Sequence, residues 1–375
     1  MDGRGQAEHR LWGVDHAGRP PAHAWPSLVL SKLPLALVVL LLVGGIALAV
    51  RLPVSSRARS ALAMVLVMAA GYALALLLSK GTYAGIRHAL PVLMAMLLLA
   101  AVGLSMLWRA DGRARVPGMA LAVGAWALAV ATTLGEPRLY EFHNTLAGGH
   151  VDAWRNFRNE SVDLGQRIRE VARFHDEVVV GSGQPLYLFY RVGEPATRHY
   201  LPGERKLVDS IHDEHAFGEW EGWFVFPMPY TEPEPRSDWD PAEIFANLEL
   251  VQRFGHVGVW QGRLNHPRMW AGSMSARVWE YIYQQGGDDW GLVARRLDQV
   301  LALNPHAYFA AFELGNARLR LGEREAAVAA YRRVLEQDRF PMDPDFVARL
   351  SAHVQIIEQS SDLAHVSPMR SPFLE

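Results

Sequence analysis

The chain has 375 residues, of which 20% are charged, a formal net charge of −2 and no cysteine. The absence of cysteine excludes disulfides, thiolate zinc sites and a cysteine nucleophile, and the balanced charge gives no indication of a nucleic-acid partner. The only lysines are Lys32, Lys80 and Lys206, and this strong preference for Arg, together with abundant Ala, is typical of a GC-rich bacterial genome.

Four uncharged apolar runs occupy most of the first third of the sequence. They are Leu33–Val50, Ala61–Leu78, Ala89–Trp108 and Pro117–Leu134. Each approaches the ~20 residues that cross a hydrocarbon core of roughly 30 Å, and none has the polar stripe of a soluble amphipathic helix. The sequence therefore predicts a multi-pass α-helical membrane protein with four transmembrane helices within residues 29–135, for which the lipid bilayer is the first partner.

The segment before these runs and the charges between them predict the orientation. Residues 1–28 are interrupted by Asp2, Glu8 and Asp15 and lack a cleavage site, so we expect an external or interfacial segment rather than a signal peptide. The connections after the first and third runs carry three Arg each, whereas the second carries only Lys80 and Arg87. Because basic connections stay in the cytoplasm, the chain is predicted to lie in the bacterial inner membrane with its soluble tail on the periplasmic or extracellular side.

Residues 136–265 alternate helix and strand signals, which predicts a small external α/β domain. Ser161–His175 has the single apolar face of a helix, and Asp240 caps a second helix start in front of a proline. Short extended segments are predicted at Glu177–Ser182, Leu186–Tyr190, Arg198–Leu201, Trp223–Phe226 and His256–Trp260.

Residues 270–360 change character and contain a pattern that resembles the tetratricopeptide repeat, a helix–turn–helix unit of about 34 residues. Its positions are Leu314, Gly315, Gly322, Ala327 and Tyr331. Small and large side chains at these offsets allow two antiparallel helices to pack closely around a glycine turn. Residues 276–303 fit a degenerate preceding repeat, Asp345–Gln359 is predicted to cap the stack, and residues 361–375 are predicted to be disordered. An unrelated helical hairpin is the alternative to the repeat.

Three short segments carry a resemblance to a known family. The first, Tyr140–Gly149 (YEFHNTLAGG), leads to Ser161–Gln166 (SVDLGQ), the second is Gly85–Pro91 (GIRHALP), and the third is Lys32–Leu35 (KLPL). Together they resemble the C-terminal half of bacterial GT-C type membrane glycosyltransferases, relatives of the protein mannosyltransferases, over residues 25–265. The resemblance implies transfer of a sugar from a polyprenyl phosphate carrier to an acceptor outside the cytoplasm.

The resemblance also implies roles for particular residues. Arg87 and His88 are implied phosphate contacts, and an interfacial Arg that anchors the third span is the alternative for Arg87. The residues implied to be structural are Asn144, Gly148, Gly149, Asp163, Gly165 and Gln166. Within that set, Asp163 and Gln166 are expected near the start of one helix as a lock between domains, with complementation of the helix dipole as the alternative for Asp163. A tight turn is favoured over a phosphate cradle for the glycine pair.

The sequence departs from that family in important places. Leu164 stands where the family usually has Trp, Asn159–Glu160 replaces an Asp-Ser pair, and no counterpart of the early spans with their external catalytic acid is found. Activation of the acceptor needs a positioned carboxylate, and none is identified in this sequence, so the catalytic residues are unknown. The chain is therefore expected to be a truncated or split transferase that is inactive alone. The alternative is a membrane-anchored scaffold whose repeat binds a protein partner.

No cofactor is identified from the sequence, and a divalent metal is left open. His212–His215 (HDEH) pairs two His with carboxylates, but a solvated loop is favoured because no third ligand is placed. The tryptophans of the tail are expected to be mainly core residues, with sugar stacking or an interfacial position as alternatives. They are Trp220, Trp223, Trp239, Trp260, Trp270, Trp279 and Trp290.

Overall fold

The computed structural model describes residues 9–16, 21–49, 55–78, 89–109, 111–135, 141–158, 165–190, 192–213, 220–233, 240–338 and 342–371. These residues form two compact units, one within Ala7–Leu164 and one within Gly165–Glu375. The first unit contains the apolar helices, and the second contains the larger sheet and a helical array. The boundary between the units lies later in the chain than residue 136, where the sequence analysis placed it.

Helices form over all four apolar runs. They are α1 (Ala24–Lys32), α2 (Leu35–Ala49), α3 (Ser56–Leu78), α4 (Leu90–Trp108) and α5 (Arg115–Gly135). The last three are long and apolar enough to cross a membrane, and the pair α1–α2, bent by 113°, is either a broken fourth span or a re-entrant loop. The structure therefore supports three or four candidate spans, and it places a further helix, α1, directly before the first predicted run.

Helices α2 and α4 approach each other closely because glycines face each other across their contact. A Cβ atom added to Gly103 would lie 2.2 Å from the carbonyl oxygen of Leu40 and 2.8 Å from the nitrogen of Gly44. One added to Gly44 would lie 2.2 Å from the carbonyl oxygen of Leu99. Contacts between small residues are the usual way in which helices pack in lipid, where no hydrophobic force acts between them. Large apolar side chains such as Met68 are exposed on the outside of the bundle, as a bilayer requires.

A small sheet joins both ends of this first unit. Its strands are β1 (His9–Leu11), β2 (Val14–His16) and β3 (Phe157–Arg158), in the antiparallel order β2-β1-β3, and α6 (Gly149–Asn156) precedes β3. The sequence analysis predicted none of these strands, because two or three residues are too short to show an alternating pattern.

The second unit begins with a helical stretch and a four-stranded sheet. Helix α7 (Ile168–Phe174) continues through a π-helical turn into α8 (Val180–Ser182). The remaining elements are β4 (Leu186–Leu188), α9 (Glu194–Tyr200), β5 (Trp220–Pro227), α10 (Pro241–Ile244), β6 (Leu248–Phe254) and β7 (Val257–Leu264). The strand order is β4-β5-β7-β6, with β4 parallel to β5 and the other pairs antiparallel. One face of β5 packs on α7, and the other carries stacked aromatic rings such as Phe189 on Phe226.

Two of the extended segments predicted for this unit are wrong. Glu177–Ser182 is helical, and of its three valines only Val179 is buried while Val178 and Val180 are exposed, so one face of a helix explains the run better than a buried strand. Arg198–Leu201 falls at the end of α9, which a proline begins. The strand predictions at Leu186–Tyr190, Trp223–Phe226 and His256–Trp260 and the Asp240 cap agree with the structure.

Five helices form the C-terminal array around one continuous core. They are α11 (Pro267–Tyr283), α12 (Trp290–Leu303), α13 (Tyr308–Arg320), α14 (Arg324–Leu335) and α15 (Pro344–Gln359). Val293 and Leu297, predicted for the second helix of a degenerate repeat, are fully buried on α12. Each helix packs against the next in the chain, so the array consists of consecutive antiparallel hairpins closed by α15.

The chain after α15 is packed against this core. Leu363, Val366 and Met369 contact the core of the array, and Ser371 is only 1% exposed. The predicted disorder over 361–375 is therefore wrong for Leu363–Ser371. The physical reason is the spacing of the apolar residues. Leu363, Val366 and Met369 stand three positions apart, so together they form an apolar surface that packs against the array.

Candidate functional site

The helix is interrupted at a proline where the first apolar run begins. Helix α1 ends at Lys32, Leu33 is extended with ψ 129°, and α2 begins at Leu35. Pro34 explains the break, since proline has no backbone donor and disfavours the helical conformation of the residue before it. A helix that ends in this way leaves its last carbonyl groups without partners inside the helix.

Asn144 provides the partners for these carbonyl groups. Its backbone nitrogen donates to Ser31 O (2.8 Å), and its side-chain Nδ2 donates to Leu30 O (2.6 Å) and Leu33 O (3.0 Å). The Oδ1 atom of Asn144 accepts from the nitrogen of Ala147 (3.1 Å) and so turns the chain away from the break. One side chain therefore fastens residues 141–147 to the end of α1.

The glycine pair of the same motif completes this turn. Gly148 has φ 97° and Gly149 has φ 65°, both in the left-handed region that favours glycine. The nitrogen of Gly149 donates to Asn144 O (3.0 Å), and a Cβ atom at Gly148 would lie 3.0 Å from the carbonyl group of Asp152. The motif thus builds a turn that ends in α6, which agrees with the tight-turn interpretation.

Polar side chains gather beside the break, and we call Lys32, Glu141, His143 and Asn144 the break-site cluster. Glu141 and His143 are almost completely buried, and the carboxylate of Glu141 attracts the ammonium group of Lys32 electrostatically. His143 Nδ1 donates to the carbonyl oxygen of Glu141 (3.0 Å), and the ring of His143 stacks on Phe157 at 5.5 Å. Charges buried in this way are retained only with partners, so removing one member is costly for the other.

Arg87 and His88, the implied phosphate contacts, lie outside the described residues. Ala89, which follows them directly, is 2% exposed and packs with Trp25, Val29 and Leu33 at the break. The chain therefore enters α4 beside the break-site cluster. Lys32 and Asn144 belong to separate sequence motifs, and nothing in the spacing of these motifs indicates that they lie next to each other in the fold.

The other residues of the implied motif fall elsewhere. Asp163 lies outside the described residues. Gly165 has φ 83° and belongs to the second unit, and Gln166 lies in the turn before α7, which begins at Ile168. Gln166 therefore lies near the start of α7, two residues before its first residue, in the turn that follows Gly165.

Asp15 and the segment His212–His215 are the remaining candidates for a carboxylate or metal role. Asp15 forms two hydrogen bonds with Arg10, at 2.8 and 2.7 Å, which occupy both of its oxygens. The second half of His212–His215 lies outside the described residues. Within the part of the chain that the structure describes, no group of three His, Cys, Asp or Glu is placed to hold a metal.

The residues of the repeat pattern meet in the hairpin α13–α14. A Cβ atom at Gly315 would lie 2.5 Å from Cε1 of Tyr331, and Gly322 turns the chain with φ 75°. Ala327 and Tyr331 are fully buried, and Leu314 is nearly so. This is the close approach that the pattern predicts.

A buried polar network lies beside this contact. Tyr283 OH donates to Glu313 Oε1 (2.7 Å), Asn316 Nδ2 donates to Glu313 Oε2 (3.1 Å), and Tyr331 OH donates to Asn316 Oδ1 (2.7 Å). Burial raises the pKa of the Glu313 carboxyl group above its usual value. The sequence analysis missed this network, although a Glu inside the apolar run Ala310–Leu314 was the available signal.

Comparison with known proteins gives no family. No model of a protein family matches the chain, and neither the curated proteins nor the solved structures contain a match. The resemblance to the membrane glycosyltransferases therefore rests on the short sequence segments alone.

Proposed function

We propose that this protein binds the phosphate group of a polyprenyl-phosphate-linked sugar at the break-site cluster, as a glycosyltransferase-like membrane protein that does not transfer the sugar on its own. The observation that carries the proposal is the position of Lys32. It ends α1 directly before the proline break and the uncharged run that follows, and it lies close enough to the buried carboxylate of Glu141 to interact with it electrostatically.

Three physical arguments support this assignment. Ionisable side chains at the edge of apolar helices are costly and are usually retained for function. Broken helices are a common way to present polar groups inside membrane proteins. An ammonium group suits phosphate as a compact charge. Arg87 and His88 directly precede Ala89 in the sequence, and we propose that they add a guanidinium and an imidazole.

The chemistry of the cluster supports binding better than transfer. Sugar transfer needs a carboxylate that is free to orient or deprotonate the acceptor. Glu141 is buried and interacts with Lys32, and Asp15 is paired with Arg10. We therefore assign the phosphate contact to this chain and the acceptor carboxylate to another polypeptide.

Loss of lipid-phosphate binding on removal of Lys32 tests the proposal. The full chain in nanodiscs should bind polyprenyl phosphate but not polyprenol, and Lys32→Ala combined with Glu141→Gln should weaken binding at least tenfold, about 1.4 kcal/mol. The double change avoids leaving Glu141 buried and unpaired. Lys206→Ala, on the exposed Lys206 of the second unit, is the matched control. Equal binding of phosphate and alcohol, or equal losses in both variants, would refute the proposal, as would sugar transfer by the purified chain alone.

The orientation is open to a direct test because the chain has no natural cysteine. The proposed topology expects Val14→Cys and Ser361→Cys to react with an impermeant thiol reagent in intact spheroplasts, and Arg113→Cys to react only after lysis. If α1–α2 is a re-entrant loop instead of a span, Val14→Cys and Ser361→Cys must label on opposite sides. That outcome would overturn the four-span topology, and it would also contradict the pairing of β1 with β3, which requires Leu11 and Phe157 to lie on the same side of the membrane.

A second candidate function is a membrane-anchored scaffold in which tetratricopeptide-like hairpins bind a protein partner. The close contact of Gly315 with Tyr331 supports it, because this small-against-aromatic packing matches the pattern quoted from the sequence. A photo-crosslinking amino acid placed at exposed positions of α11 and α13 tests this function. A partner captured specifically by these positions supports the scaffold, and capture independent of position argues against it.

A further inference from the structure

The C-terminal segment returns across the helical array after α15 has ended. The end of α15 is held to α14, since Arg324 Nη1 donates to Ile357 O (2.6 Å) and Arg332 Nη2 to Glu358 Oε1 (2.5 Å). Twelve positions later, Ser371 lies against residues of α11 and α13. The segment therefore crosses from the last helix of the array to the first helices of both preceding hairpins.

The contact at its end is specific in its chemistry. The Ser371 hydroxyl forms hydrogen bonds with the carboxylate of Glu313 and with the hydroxyl of Tyr283. Together with Asn316, these two residues form what we call the tail-binding surface. Ser371 is 1% exposed and Glu313 is 2% exposed, so a hydroxyl group is buried against a carboxylate that already accepts two other hydrogen bonds.

The remaining contacts of the segment are apolar and regularly spaced. Leu363, Val366 and Met369 pack on the core of the array, whereas Ser367 between them is exposed. After a single 3-10 turn at Leu363–His365, no regular secondary structure is formed up to Ser371. The segment thus packs as a peptide ligand does, through every third side chain rather than as a further helix of the array.

We propose that Leu363–Ser371 is a built-in ligand of the tail-binding surface, and that this surface takes an extended peptide of the same chemistry from another molecule when the segment leaves. The chemistry that it recognises is an apolar side chain two positions before a buried hydroxyl group, as in Met369 and Ser371. This inference is independent of lipid-phosphate binding. It deepens the scaffold function, because it identifies both the surface and the kind of peptide it takes.

The test measures binding of a fluorescent peptide with the sequence of residues 361–375 to the full chain in detergent. A chain that ends at Ser360 should bind the peptide saturably, and the unmodified chain should bind it at least tenfold more weakly because its own segment competes. A peptide with Ser371→Ala should lose about tenfold in affinity, as expected for a lost hydrogen bond to a buried carboxylate. A peptide with Ser367→Ala, altered at an exposed position, should bind as before.

A second variant keeps the test decisive if the shortened chain does not fold. Ser371→Asp in the full chain places a carboxylate against Glu313, and like-charge repulsion should release the segment and raise peptide binding to the level of the shortened chain. Ser367→Asp should leave peptide binding unchanged. The inference is overturned if neither altered chain binds the peptide better than the unmodified one, or if a scrambled peptide binds equally well. A lack of crosslinked partners with intact peptide binding would instead contradict only the scaffold function.

Discussion

Gly103→Leu is expected to destabilise the membrane helices more than any other single change considered for this chain. A Cβ atom at this position would lie 2.2 Å from Leu40 O and 2.8 Å from Gly44 N, both of which belong to the backbone of α2. Backbone atoms cannot rotate away as a side chain can, so α2 and α4 have to separate along their whole contact. Overpacking costs about 1–3 kcal/mol in general, and we expect about 3 kcal/mol or more here.

The measurement is the temperature at which the detergent-solubilised chain loses its monodisperse form. Gly71→Leu on α3 and Gly124→Leu on α5 are the matched controls, since a Cβ atom at either site has nothing within 4 Å. These controls should be neutral or slightly stabilising, because leucine has a better helix propensity than glycine. Equal effects at all three sites would mean that the α2–α4 contact is not formed as described.

Gly315→Leu is expected to open the hairpin α13–α14. A Cβ atom at Gly315 would lie 2.5, 2.6 and 2.8 Å from three atoms of the Tyr331 ring. The ring is fully buried and its hydroxyl donates to Asn316 Oδ1 (2.7 Å), so it cannot swing aside without losing that hydrogen bond. The cost should reach the upper end of the range of about 1–3 kcal/mol for overpacking.

Hydrogen exchange of the α13 and α14 amides measures this loss in the full chain, and about a hundredfold faster exchange corresponds to nearly 3 kcal/mol. Gly272→Leu on α11, where a Cβ atom has nothing within 4 Å, is the matched control. Adding Tyr331→Ala to Gly315→Leu should make the two changes less costly together than the sum of their separate costs, because the alanine vacates the space that the leucine needs. Additive costs would show that the two residues do not contact each other.

Strongly periodic segments were predictable from the sequence, and segments decided by tertiary contacts were not. The apolar runs and the hairpin α13–α14 carry long hydrophobic patterns that indicate a helix whatever packs against them. The run Glu177–Ser182 has three consecutive valines and strand propensity, yet it is helical because only Val179 has a core to face. The same limit applies to Leu363–Ser371, whose burial depends on a surface made by distant helices.

In the candidate sites, too, the sequence indicates some residues, whereas tertiary contacts decide which of them come together. Sequence motifs singled out Lys32, Asn144 and the glycine pair, but their separation along the chain conceals that Asn144 binds the carbonyl groups of a helix more than one hundred residues away. A glutamate in a helix is usually solvated, so the sequence alone does not distinguish Glu313 from a surface residue. Its role became visible only with Tyr283, Asn316 and Ser371 around it.

The sequence by itself determined that this protein has apolar helices of transmembrane length, a mixed sheet domain and antiparallel helical hairpins, because hydrophobic periodicity and length are local properties of the chain. Only the tertiary structure decided where the first span breaks, what holds the break and what covers the helical array. Each of these depends on one partner group at one distance, such as the Asn144 side chain at Leu30 O or the Ser371 hydroxyl at Glu313. Such pairings form between residues far apart in the chain, and no local pattern encodes them.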